Sequence, residues 1–231
     1  FRIADPERAT PEAFQSYAIV GALVMLVSVL VSAVGTHRRY ARPQPAGHHQ
    51  PTLRDMLACL KFRPFQLLLI GVLFAYTNQG VTFTLSSYLL GYVWRFGWEM
   101  QVIYAVCLFG GVLLSLPLAR RAGYRYGKVG AAVRLAIAAN VIGTAPYFLH
   151  YLGAFPAAGS LAATLIYLPV VAIATAAAIA LIITAQSMMA DVTSASFEQT
   201  GKQQEGVFYA GWFLMQKAVT GIGIFVSGQV L

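Results

Sequence analysis

Residues 161–189 read LAATLIYLPVVAIATAAAIALIITAQSMM, 29 positions without one Asp, Glu, Lys, Arg or His. A helix needs about 20 mainly apolar residues to cross roughly 30 Å of hydrocarbon, so this run is long enough to span a bilayer. Lipid offers the backbone no hydrogen-bond partners, and a helix satisfies its own. Five further stretches have the same character: 14–36, 64–90, 100–119, 128–149 and 207–231. No ten-residue segments of alternating polarity lie between turns, as a membrane β-barrel would require. The sequence therefore predicts an all-α membrane protein with six transmembrane helices.

Composition agrees. The chain is 58% hydrophobic and 10% charged, with mean hydropathy +0.66, whereas a soluble domain carries about a quarter charged residues. The polar surface is too small to cover a water-facing globule, and the lipid bilayer is the expected solvent. A net charge of +8 would suggest nucleic acid in a soluble domain. In a membrane protein the distribution decides, and no nucleic-acid partner is expected. Cys59 and Cys107 fall in a basic loop and an apolar helix, a placement that suggests neither a disulfide nor a metal site. The chain starts at Phe1 and stops at Leu231 inside an apolar run, so it reads as a piece of a longer protein, with no signal peptide.

Basic residues set the orientation. Arg38, Arg39, Arg42, Arg54, Lys61 and Arg63 follow the first span. Arg120, Arg121, Arg125, Lys128 and Arg134 gather between the third and fourth, and Lys202 lies between the fifth and sixth. The other side has only Arg2, Arg8 and Arg95. Twelve against three makes the first side cytoplasmic, and the plasma (inner) membrane is the expected location. The longest connection, Thr36 to Pro64, is broken early by Pro43, Pro45, Gly47 and Pro51, and Leu53 to Leu60 could lie on the leaflet as a short amphipathic helix. His48 and His49 stand in this linker without the further ligands a metal site needs. The domain reading is thus an outer loop and one helix (1–36), a central cytoplasmic loop (37–63) and a second helical bundle (64–231).

Within the spans, polar residues are few. Asn78, Thr82 and Ser86 recur every fourth residue and share one helix face. Such a stripe either lines a hydrated path or holds helices together. Gly80, the pair Gly110–Gly111 and the alanine-rich run 172–180 suggest close helix packing. Lys217 stands apart. It lies ten residues beyond Val207, about 15 Å into its helix and near the bilayer midplane. An uncompensated charge at that depth costs at least ~2.5 kcal/mol. None of the six membrane cores contains an Asp or Glu, so an acidic partner must come from outside this chain's spans, or the amine is neutral.

The segment leading to that lysine, ADVTSASFEQTGKQQEGVFYAGWFLMQK (Ala190 to Lys217), resembles the glycoside–pentoside–hexuronide:cation symporters, the melibiose-carrier family of the major facilitator superfamily. The matching features are Ala190-Asp191, Thr200-Gly201, Lys202, Glu205-Gly206, Phe208-Tyr209 and the lysine eight residues beyond the tyrosine. Gly35-Thr36 and the stretch from Arg120-Arg121 to Gly127-Lys128 extend the likeness more loosely. The resemblance implies that the six spans are helices six to eleven: one helix of the first bundle, then a C-terminal bundle lacking its last helix. It also implies alternating-access transport of a sugar or related small organic solute coupled to Na⁺ or H⁺. No cofactor is implied beyond that co-transported cation.

On that resemblance Lys217 couples solute and cation to carboxylates of the N-terminal half, which this chain lacks. Gln216, Trp212 and Tyr209 on the same helix, with Asn78 and Thr82, complete the candidate solute and cation set. Asp191 and Glu205, pairing with Arg120, Arg121 or Arg125, are the candidate cytoplasmic gate. The sequence also departs from the family. No aromatic residue lies between Pro169 and Asp191 to stack on a sugar, while Trp212 and Phe213 stand one turn before Lys217. A carrier of an amphipathic or lipid-like solute is therefore the alternative. An integral membrane enzyme is a distant third, since no histidine shares a helix face with an acid.

Overall fold

The computed structural model describes residues 11–40, 59–202 and 204–230. The chain divides into two compact units, Phe1–Gln50 and Pro51–Leu231. The first contains α1 (Pro11–Tyr40). By itself this helix exposes Leu23, Val24, Val27, Leu30, Val31 and Val34, the all-round apolar surface of a lipid-solvated span. The possible amphipathic helix at 53–60 and the pair His48–His49 lie wholly or largely outside the described residues.

The second unit holds α2 (Arg63–Tyr88), α3 (Trp98–Tyr151), α4 (Leu161–Thr200) and α5 (Glu205–Val230). No strand occurs among the described residues. Among the described residues four helices are long and apolar enough to cross a membrane: Ala18–His37, Arg63–Ser86, Glu99–Tyr151 and Leu161–Thr200. The third of these, at 53 residues, would be about 80 Å long if straight, far more than one crossing. It breaks at Gly127, with φ 69° and ψ 168°, a backbone region occupied essentially by glycine alone. The two arms, 98–126 and 128–151, are the third and fourth expected spans. α5 has the length for a sixth, but Gln216 and Lys217 sit at its centre and lower its hydropathy.

Two connections differ from the sequence reading. Residues 120–126, expected as a loop, are helical, and only Gly127 breaks the path. Likewise 190–200 is not a loop: α4 continues from Met189 to Thr200 before Gly201 closes it in a left-handed cap at φ 67°. The physical reason is a buried stripe of Val192, Thr193 and Ser196 that keeps the polar extension packed, with no Gly or Pro until position 201. α2 in turn ends in a π-helical turn, Leu89–Val93.

α2 packs chiefly on α5, and α3 on α4. The first pair runs parallel. Phe65 meets Phe208 near both helix starts, ring centroids 5.0 Å apart, and Gly80 meets Gly223 further along. Their core comprises Phe65, Leu69, Val72 and Tyr76 with Phe208, Trp212 and Val219, capped by Met189 and Val192 of α4. The second pair is built from small residues: Ala119, Ala131 and Leu135 against Ala177 and Ala180. Gly111 rests on the Ala172 carbonyl, where a Cβ would stand 2.6 Å from the oxygen, while Gly110 faces open space. Small residues allow helices to approach where lipid supplies no hydrophobic drive.

Candidate functional site

α5 positions the central lysine. Lys217 is the thirteenth of 26 residues in this helix, so about 18 Å of helix lies on either side of it. Its side chain is exposed. Among the described residues no carboxylate lies within ion-pair distance of it. The Lys217 face of α5 carries Phe213 one turn before and Gly221 one turn after. It points away from the Trp212 and Val219 stripe that packs on α2.

The other candidates on α5 divide. Gln216 and Tyr209 are half-buried, and the Tyr209 ring lies 6.5 Å from that of Phe213. Trp212 is different: it is 0% exposed and stands perpendicular to Tyr76, with ring centroids 6.4 Å apart. A stacking face for a solute, expected from its place one turn before Lys217, is at odds with that burial. The indole fills the α2–α5 core, and its Nε1–H meets no hydrogen-bond acceptor within bonding geometry among the described residues.

Asn78 and Thr82 are both exposed on α2, away from the Leu69, Val72, Tyr76 and Gly80 face that meets α5. The Thr82 hydroxyl donates to the Asn78 backbone carbonyl at 2.8 Å. The stripe therefore takes no part in holding α2 to α5. Neither residue is joined to Lys217 by a hydrogen bond among the described residues.

At the break in α3 the structure forms a contact that the sequence reading missed. Lys128, the first residue after Gly127, donates to both Asp191 carboxylate oxygens, at 2.7 and 2.6 Å. It also donates to the Ser187 carbonyl at 3.4 Å. Asp191 thus pairs with Lys128 and not with Arg120, Arg121 or Arg125. The expected partners are occupied differently. Arg120 lies over Tyr124 at 5.8 Å and Arg125 over Tyr126 at 5.5 Å, while Arg121 is exposed. The reason is geometric: with 120–126 helical, the turn at Gly127 carries Lys128 to α4. Glu205 sits in the first turn of α5, where a carboxylate favours the positive end of the helix. It makes no ion pair among the described residues.

At the other end of the α3–α4 pair, Trp94, Phe96 and Tyr167 form an aromatic core with Tyr147 and Phe155. The Tyr147 and Tyr167 hydroxyls share a 2.7 Å hydrogen bond. No signal in the sequence singled out this cluster, because its members come from the π-turn region, α3 and α4.

All of this describes an all-helical bundle among the described residues, with a mid-helix lysine and an ion pair at one helix end. The family model for MFS/sugar transport proteins matches the chain over residues 1–231. The chain belongs to this family of the major facilitator superfamily. Comparison with curated proteins and with solved structures finds no match. As a major facilitator protein the chain is a transporter of the sugar-transport type, and membership places it with carriers rather than enzymes. Among the described residues no group of three metal-ligating side chains occurs.

Proposed function

We propose that this chain belongs to a cation-coupled symporter that carries a sugar or related small organic solute by alternating access, with Lys217 as its coupling residue. The observation that carries the reading is an exposed lysine at the centre of a membrane helix with no carboxylate beside it among the described residues. A charge at that depth needs compensation. A carboxylate of a preceding N-terminal half would supply it, and a bound Na⁺ or H⁺ would compete for the same carboxylate. Lysine and cation then exclude one another, which links cation binding to the position of α5. Gln216 and Tyr209, half-buried on the same helix, are the solute contacts in this reading, while Asn78 and Thr82 form a separate polar stripe on the α2 face turned from α5. The Lys128–Asp191 pair holds the α3 turn to α4 on the face where basic residues gather, and the twelve-to-three distribution supports a cytoplasmic placement of that face.

The amphipathic-solute alternative drew on Trp212 and Phe213. With Trp212 in the core, Phe213 alone, 48% exposed, remains to favour it. The test is uptake into proteoliposomes by the full-length protein under an imposed Na⁺ or H⁺ gradient. Concentrative, gradient-dependent sugar uptake is expected, and Lys217→Ala should abolish accumulation. Flux indifferent to both gradients defeats the symport reading, and full accumulation by Lys217→Ala removes the coupling residue.

A further inference from the structure

The turn between the two arms of α3 gathers Arg120, Arg121, Arg125, Lys128 and Arg134, all exposed. Both arms run directly from this turn into apolar helix, so these cations stand at the height where lipid headgroups begin. One carboxylate, Asp191, reaches the cluster, and it is taken by Lys128. The four arginines have no acidic partner among the described residues.

Two of them converge on one ring. Arg134 lies over Tyr126 at 4.0 Å from the centroid and Arg125 over the same ring at 5.5 Å. Arg134 also donates to the Gly130 carbonyl at 3.2 Å, which fixes its guanidinium beside the chain. Two guanidinium groups held about one tyrosine repel each other, and nothing in the described structure neutralises them. The ring face offsets part of this, at about 0.5–1 kcal/mol for an exposed cation–π contact. An anion that reached both would offset the repulsion, and guanidinium groups give phosphate bidentate hydrogen bonds.

We propose that the α3 turn is a binding site for the phosphate of an anionic phospholipid, held between Arg125 and Arg134 beside Tyr126, with Arg120 and Arg121 adding charge. The occupant is a lipid because the two arms present long apolar surfaces that acyl chains can follow: Leu113, Leu116, Val129, Val133 and Ile137 are all exposed. The site depends on the helices spanning a bilayer and not on solute, coupling ion or sidedness. It stands if the symport reading fails.

Each basic residue near an anionic lipid surface contributes about a fivefold preference. The full-length protein, purified from 70:30 phosphatidylcholine/phosphatidylglycerol membranes, should therefore retain phosphatidylglycerol at roughly fivefold or more above the bulk ratio, read by mass spectrometry of the co-purified lipid. R125Q/R134Q should return the ratio to bulk, while R125K/R134K, which keeps the charge and loses the fork, should fall between. Arg63→Gln, at the start of α2, is the control for diffuse positive surface and should leave enrichment intact. Retention at the bulk ratio by the unaltered protein overturns the proposal whether or not the variants fold. So does an equal loss in Arg63→Gln. Displacement of the lipid by millimolar inorganic phosphate would mark a free-anion site and would also overturn it.

Discussion

Gly223→Ala tests whether α2 and α5 are held by backbone contact. A Cβ at this position would stand 2.6 Å from the Thr77 carbonyl oxygen and 3.2 Å from both the Gly80 Cα and the Val81 nitrogen. Ordinary van der Waals contact begins near 3.4 Å, so the shortfall against the carbonyl is 0.8 Å. All three obstacles are backbone atoms, and none can turn aside as a side chain would. The helices must separate locally by about that distance, which strips contact from the neighbouring Tyr76 and Val219. Overpacking of this kind costs about 1–3 kcal/mol. Against it, alanine is worth about 0.5–1 kcal/mol over glycine in a helix interior. The net expectation is destabilisation by about 1–2 kcal/mol, read as a Tm lower by a few degrees for the detergent-solubilised full-length protein.

Gly221→Ala is the matched control. It lies two residues earlier on the same helix with nothing within 4 Å of its Cβ position, so only the propensity gain should appear, as an unchanged or higher Tm. Gly80 faces the Thr220 carbonyl and the Gly223 Cα from the other side of the crossing. One separation of the helices relieves both clashes. The double variant G80A/G223A should therefore cost clearly less than the two singles added, the coupling expected of groups in contact. A Gly223→Ala protein as stable as Gly221→Ala, or strictly additive singles, refutes the backbone-contact account.

Three other outcomes follow from the same geometry. Gly127→Ala should destabilise by about 1–3 kcal/mol, because φ 69° with ψ 168° is closed to a side-chain-bearing residue; thermal melts against Gly123→Ala, which has free space, would show it. Tyr147→Phe and Tyr167→Phe each lose the 2.7 Å hydroxyl pair, at about 1 kcal/mol, and the double variant should cost little more than either single one. Asp191→Asn should shift Tm little, since the ion pair is 44% and 60% exposed and exposed pairs contribute at most ~1 kcal/mol. Uptake should fall nonetheless, and the exchange D191K/K128D should restore more of it than either single reversal.

Much of the helical architecture was legible because lipid leaves the chain so few choices. An apolar run such as 161–189 has one viable backbone solution, and the basic clusters marked where the runs end. The errors lay where helices leave the hydrocarbon. Polarity at 120–127 and 190–200 looked like loop, but polarity ends a membrane span without ending a helix. What ends the helix is backbone chemistry, and Gly127 and Gly201 do so with positive φ. That misplacement bears on the candidate gate: with the turn placed too early, the lysine after Gly127, which pairs with Asp191 in this structure, was passed over for the arginines before it. Trp212 was misread for a different reason. On a single helix an aromatic about one turn from a lysine looks like part of the same site, yet Trp212 and Lys217 are five residues apart, which turns one side chain from the other by about 140°. Here that rotation is enough to put Trp212 into the α2 interface and leave Lys217 outside it.

The burial of Trp212 changes what holds the lysine rather than removing the tryptophan from function. If Lys217 couples as proposed, its charge must present itself to a partner in one register, and a lone membrane helix is free to rotate and slide. α5 is fixed on α2 at three heights: Phe208 against Phe65, Trp212 against Tyr76, and Gly223 against Gly80. Lys217 lies between the second and third. Rotation of α5 would lift the indole out of its slot, and sliding would drive Gly223 into the Thr77 carbonyl. The aromatic contact and the glycine contact therefore restrict different motions of the same helix. Asn78 and Thr82, on the outer face of α2, are carried by the same rigid pair. A displacement that moves Lys217 must move α2 as well, so the unit of any conformational change in this bundle is the α2–α5 pair and not the lysine's helix alone.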